Sequence, residues 1–243
     1  MTPPALVEAR ALTLGAAGRS LVQALTWRAQ PGERWCVIGR NAVGKSSLLR
    51  ALAGLPVPQR EGTICWLGRP QADWSPPDAA SVRAFVPQQA SDRFPVSVRR
   101  LLALAGAHTD GDAPSALLAA LDIAPLADRD VMQLSGGERQ RVALAQCAAQ
   151  RAPLMLMDEP VAFQDPGHQR QVARWLATLA DRCVIVSAHD VNWIAGVATH
   201  VLALLGDGRW EAGPASLMLD AARLEAVYGC RWRQADGAWQ MID

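Results

Sequence analysis

Gly39-Arg40-Asn41-Ala42-Val43-Gly44-Lys45-Ser46 is the stretch on which the fold turns. Its spacing, G-x-x-x-x-G-K-[ST], has a mechanism: backbone N–H groups of the loop wrap the α/β-phosphates of a nucleotide, the lysine reaches the β/γ-phosphates, and the Ser hydroxyl meets Mg²⁺. Of the 24 Lys plus Arg residues in the chain, Lys45 is the sole lysine. Arg serves everywhere else, but a phosphate cradle needs a compact ammonium rather than a broad planar guanidinium. The flanks agree. Trp35-Cys36-Val37-Ile38 reads as a buried strand feeding the loop, and Ser47 to Ala53 as the helix whose N-terminal dipole favours phosphate.

Working outward, residues 5 to 30 carry alternating segments, Leu6 to Leu14 and Leu21 to Arg28, that predict antiparallel strands. Gly62 to Leu67 and Val82 to Val86 read as further short strands. From Val96 to about Gln150 the period becomes helical, with Val98, Leu101, Leu102 and Ala105, then Leu117, Leu118 and Leu121, around a polar connection at Gly106 to Pro114. Leu154 to Asp158 and Cys183 to Ser187 are continuous apolar runs of the kind found in a parallel sheet covered on both faces, with a helix over 168 to 180 between them. Two hairpins are expected at the end, turning at Gly206-Asp207-Gly208 and Ala235-Asp236-Gly237. The fold class is therefore α/β: a P-loop core of mixed sheet with helices on both faces, an N-terminal antiparallel part, and an inserted helical subdomain. We expect one domain over 1–243, with 1–87 and 151–243 forming the core and 88–150 the helical lobe.

Composition narrows the partners. The net charge is +1 with 19% charged residues, and no basic block suggests nucleic acid or an anionic membrane, so no nucleic-acid partner is expected. The five cysteines lie far apart without a C-x-x-C pair, which argues against a metal cluster or disulfide framework. No apolar run approaches the roughly 18 residues of a membrane span, and the N-terminus lacks a secretory pattern, which predicts a cytoplasmic chain. The nine Trp residues fall mostly in predicted strands and helices, where packing explains them.

The second decisive stretch is Leu134-Ser135-Gly136-Gly137-Glu138-Arg139-Gln140-Arg141, where Ser135 is placed to cap a helix whose glycines expose backbone N–H groups to an anion. Here the chain resembles the ATP-binding-cassette family, whose LSGGERQR-like signature appears without departure. The resemblance covers nearly the whole chain. It implies that Gly39, Asn41, Ala42, Gly44, Lys45, Ser46 and Ser47 hold ATP, and that Ser135, Gly136 and Gly137 cover ATP held by a second copy. A homodimer with two buried ATP molecules follows from that. The resemblance further implies that Asp158, closing a strand similar to the family's Walker B, anchors Mg²⁺ with Ser46, and that the adjacent Glu159 polarises the attacking water. Without the other motifs, two neighbouring acids would read as a solvated turn.

By the same resemblance, His189 in Ser187-Ala188-His189-Asp190 matches the switch histidine at the γ-phosphate, and Asp165 the D-loop aspartate that crosses the interface, although Ala162-Phe163-Gln164 departs from the usual small-polar pattern. Gln88 matches the Q-loop glutamine, a contact of Mg²⁺ and water, with Gln89 one residue away as the competing choice. Two further departures stand out. Ala42 replaces the family's glycine, so a left-handed backbone there would cost about 1 kcal/mol. The aromatic residue that stacks on adenine is absent, since Gly15 or Ala16 occupies its place.

Phe94 to Leu104 and Leu224 to Cys230 resemble the ATPase subunits of importers for iron-siderophore, haem and cobalamin, the ending Tyr228-Gly229-Cys230-Arg231-Trp232-Arg233 being most similar to the cobalamin branch. This implies an importer ATPase at the cytoplasmic face of the membrane, partnered by integral membrane permease subunits and indirectly by a periplasmic substrate-binding protein. Phe94 would line the permease groove beside Gln88 to Val98, or else pack inside the helical lobe. A soluble cassette ATPase that remodels a protein or nucleic-acid assembly is the alternative class.

Overall fold

The computed structural model describes residues 5–89, 94–106 and 115–242. Residues 1–4, the 90–93 part of the expected permease groove and the 107–114 part of the polar connection lie outside them. The chain opens with β1 (Val7–Ala16) and β2 (Arg19–Ala29), antiparallel about a turn at Ala17-Gly18, then β3 (Arg34–Ile38) and α1 (Lys45–Leu52). β4 (Gln59–Trp66) pairs with β1, and β5 (Arg69–Pro70) with β4, so the first sheet has the order β2-β1-β4-β5. Helix α2 (Pro76–Val82), which the apolar pattern did not announce, begins at a Ser75 cap followed by Pro in the first turn, and leads into β6 (Arg83–Val86).

The helices α3 (Val98–Ala105), α4 (Ser115–Ala120) and α5 (Gly136–Ala149) stand between β6 and β7 (Leu154–Asp158). Alternation follows: α6 (Pro166–Ala177), β8 (Cys183–Ser187), α7 (Val191–Val197), β9 (His200–Leu204) and β10 (Trp210–Pro214). The chain closes with α8 (Ala215–Met218), α9 (Ala221–Tyr228) and the hairpin of β11 (Arg231–Ala235) with β12 (Ala238–Ile242).

The second sheet has the order β10-β9-β3-β8-β7-β6, parallel apart from the β9–β10 hairpin. Successive residues of its central strands enter two different cores. Cys36, Ile38, Met155, Met157, Val184 and Val186 join the helices α5 and α6 on one face. Trp35, Val37, Leu154, Leu156 and Ile185 join α1 and the antiparallel sheet on the other. This two-sided burial is why these strands read as unbroken apolar runs. Helix α1 is fixed by Leu48, Leu49 and Leu52, all wholly buried, each contributing about 1.5–3 kcal/mol through apolar area removed from water. Four cysteines, Cys36, Cys65, Cys147 and Cys183, are buried like small hydrophobes.

Because β3, β7 and β8 run parallel, with Asp158 opposite Ser187 and Ser187 opposite Val37, their carboxyl ends meet at one edge of the sheet. The loops that follow these three strands carry Lys45, Glu159 and His189. Ligands of open α/β sheets bind in just such a crevice outside the carboxyl ends of the strands.

Candidate active site

The loop after β3 is shaped by close packing. A Cβ on Gly39 would lie 2.7 Å from Val43 Cγ1 and 2.9 Å from Leu204 O, and one on Gly44 would lie 2.9 Å from Leu21 Cβ. Ala42 does adopt the left-handed backbone, φ 58°, and so carries the strain that a glycine would avoid. No side chain caps α1 at Gly44. Its first-turn residues, Lys45 to Ser47, instead line a cavity of about 800 Å³, large enough for a nucleotide. Lys45 is 5% exposed and donates from Nζ to Gly39 O (2.9 Å) and Arg40 O (3.1 Å). Burial lowers its pKa, while Glu159 and Asp158 pull the other way, so the ammonium is held in a half-desolvated cleft facing two acids.

Opposite the lysine, Glu159 presents both carboxylate oxygens to polar neighbours. Gln88 Nε2 donates to Oε2 at 3.0 Å, and His189 Nε2 lies 2.8 Å from Oε1. Gln88, not Gln89, is thus the glutamine on the acid. Asp158 is buried beneath, and Ser187 joins the two acids: its hydroxyl donates to Asp158 Oδ1 at 2.5 Å and accepts from Glu159 N at 2.9 Å. Glu159 holds a left-handed φ of 49° to make this turn. Asn41, Ala42, Lys45, Ser46, Gln88, Glu159 and His189 all line the cavity, as do Ala16 and Leu21. Of Gly15 and Ala16, Ala16 is the one that lines this cavity.

The signature residues lie elsewhere. Ser135 caps α5 in a reciprocal capping box, accepting from Glu138 N while its own N–H donates to Glu138 Oε2 at 2.8 Å. That backbone bond is the main reason Glu138 is held below the usual carboxylate range. Gly136 lines a separate cavity of about 290 Å³ with Gln88, Gln89, Arg139, Gln140 and Phe163. Asp165 caps α6. Ser135, Gly136, Gly137 and Asp165 do not line the cavity that holds Lys45. One chain thus gathers Lys45, Asp158, Glu159, His189 and Gln88 and leaves the signature outside. Ser187 and Leu21 escaped the sequence reading: the first is set by the register of β7 on β8, the second by the packing of Gly44.

A strand-loop-helix phosphate cradle beside a carboxylate held between Gln and His defines a nucleotide-hydrolysing P-loop domain. The chain belongs to the ABC transporter family, which matches residues 22–162. As a member it is an ATP-binding subunit, an ATPase coupled to transport. The hemin import ATP-binding protein HmuV of Streptomyces coelicolor is 40% identical over 93% of this chain and 86% of its own length. The cobalamin import ATP-binding protein BtuD of Halobacterium salinarum is 38% identical over 80% of this chain and 52% of its own length. Among solved structures, a metal-chelate type ABC transporter in an inward-facing conformation superposes with a TM-score of 0.78 over 98% of this chain and 96% of that one, at 24% identity, which speaks to fold.

Proposed function

We propose that this chain powers import of a metal chelate, of the haem, corrinoid or siderophore kind, by hydrolysing MgATP in a homodimer docked on separate membrane permease subunits. The observation that carries import is its likeness, over nearly all its length, to relatives named for hemin and cobalamin import. By the same likeness the transport path lies in separate permease subunits, with this chain at the cytoplasmic face and a periplasmic binding protein supplying the chelate. Among the described residues no helix is long and apolar enough to cross a membrane.

Gly39, Asn41, Ala42, Gly44, Lys45, Ser46 and Ser47 bind the phosphates through backbone N–H groups and the ammonium. Glu159 orients and deprotonates the attacking water as general base, with Gln88 and His189 fixing its two oxygens. The donor set suits Mg²⁺: Ser46 and Gln88 line the cavity, and Asp158, buried behind Glu159, would add a carboxylate, all hard oxygens. When bound, the ion neutralises charge on the transferred phosphoryl group. Ser135, Gly136, Gly137 and Asp165 of a second copy complete each site, which accounts for their absence from the cavity of their own chain.

The test is a Glu159→Gln variant expressed in the native cell. Turnover is expected to fall about 10²- to 10⁴-fold with ATP binding kept. In MgATP the variant should elute as a dimer, and gently solubilised membranes should release it with a permease whose pore segments identify the chelate class. Elution as a monomer would overturn the shared site, and absence from the membrane fraction would overturn import.

A further inference from the structure

We propose that His168 is a positioning residue that ties the Asp165 loop to the helical insertion between β6 and β7, so that a shift of that insertion reaches Asp165. The inference rests on the reading that Asp165 serves the shared site of an ATP-bound dimer. Its physical basis lies in the first turn of α6. Both oxygens of Asp165 are engaged by one residue: Oδ1 accepts from His168 N at 3.1 Å, and Oδ2 lies 2.5 Å from His168 Nδ1. The opposite ring nitrogen, Nε2, lies 3.4 Å from Asp122 Oδ2, in the turn that closes α4. The imidazole therefore stands between two carboxylates belonging to two parts of the fold. One caps the helix after β7, and the other ends a helix of the insertion.

An ordinary cap needs only the first of these contacts. A serine or aspartate side chain facing a backbone N–H satisfies the helix end, and nothing in capping calls for a second acid on the far side of the ring. The reach to Asp122 is instead arranged by the backbone, since Asp122 holds a left-handed φ of 50° and its N–H closes the α4 turn on Ala119 O at 3.1 Å. One turn further along the same face of α6, Gln171 Nε2 donates to that same Ala119 O at 3.5 Å. Two polar ties thus join α6 to the end of α4. The ring's two nitrogens point in opposite directions, so a contact at Nδ1 (2.5 Å, Asp165) and one at Nε2 (3.4 Å, Asp122) are held by one rigid plane. Asp165 responds to its neighbour, for the His168 ring is the main reason its carboxyl is held below the usual range. Movement of Asp122 with the insertion then pulls on the ring, and through it on the loop that presents Asp165.

The decisive variants are Asp122→Gly, which suits the left-handed turn while removing the acid, and His168→Asn, which keeps a donor near Asp165 but loses the reach to Asp122. Each should lower kcat for MgATP by about 3- to 30-fold, the range for a residue on a coupling path, with KM for ATP within about twofold of the native value and an unchanged melting midpoint. The double variant should be no slower than either single one, because both cut the same tie. Asp122→Asn, which keeps an acceptor, should retain most of the activity. Native kcat in the single variants, or losses that multiply in the double, would overturn the tie. A readout free of hydrolysis separates this failure from that of the shared-site reading: in Asp122→Gly, amide hydrogen exchange over residues 162–165 should speed up by about threefold or more. Unchanged exchange there would overturn the tie whether or not the dimer forms.

Discussion

Ser187→Ala removes one oxygen atom from the strand edge and should disable the site without touching any residue expected to meet nucleotide. The hydroxyl is wholly buried and sits between the two acids that end β7, donating to Asp158 Oδ1 and accepting from Glu159 N. Its loss takes a charge-assisted bond from a buried carboxylate and leaves a partly buried N–H unpaired. Bonds to charged groups are worth about 1.5–3 kcal/mol and an orphaned donor costs about 1–3 kcal/mol. Water entering from the adjacent cavity relieves part of this, so about 2–4 kcal/mol of destabilisation is expected. For a chain of this length that is a fall of about 4–16 °C in the melting midpoint, measured by scanning calorimetry or circular dichroism. Glu159 holds its left-handed turn partly through this bond, so its carboxylate should also leave the grip of Gln88 and His189, lowering kcat more than KM. A midpoint within a degree of the native protein, with native kcat, would refute the bridge.

Further outcomes follow from single features. Lys45→Ala should abolish nucleotide binding, and Lys45→Arg should be nearly as damaging in a fluorescent-ATP titration, because a broad planar guanidinium does not reproduce the compact ammonium's bonds to Gly39 O and Arg40 O; native affinity in the Arg variant would refute this. Among the described residues no Phe, Tyr or Trp lines the cavity that holds Lys45, so ATP and GTP should be hydrolysed with similar kcat/KM, a base–aromatic stack being worth about 1–3 kcal/mol; a strong ATP preference would mean that another group reads the base. Phe94 is 77% exposed, which sets aside packing inside the helical lobe, so Phe94→Ala should leave the melting midpoint and basal ATPase unchanged while uptake by the assembled transporter falls; native uptake would refute the docking role. Glu138, Asp165 and Asp220 are held below their ordinary values of 4.5, 3.8 and 3.8 by hydrogen bonds at helix starts. A lowered pKa gives stability that is present above the ordinary value and lost as pH falls through the lowered one, so urea midpoints should stay level from pH 7 to about 5 and decline below about 4.

Contiguous strings made much of this molecule legible. The phosphate loop, the capped α5 and the apolar β7 and β8 each announce themselves within a few residues, because a tight turn, a helix cap and a doubly covered strand all impose local composition. What stayed hidden depends on pairing across the fold. Nothing near Ser187 says that its hydroxyl meets Asp158; only the register of two parallel strands does. The choice between Gln88 and Gln89 was open because adjacent residues on an irregular segment differ only in direction, which the contact with Glu159 fixes. Helix α2 was missed because its seven residues bury only Ala79 and Val82, too few to mark a period.

Ala42, Glu159 and Phe163 share a backbone that residues with a Cβ enter at a cost of about 1–2 kcal/mol, and all three stand at the loops where the site is built. Directed evolution for heat tolerance would meet a hazard here. Glycine at these positions relieves strain, so a screen that reads only folding would reward it, and at Glu159 the reward would come with the loss of the carboxylate that meets Gln88 and His189. Enrichment under selection for folding alone, set against depletion under selection for uptake, would map onto the chain where durability and work are in competition.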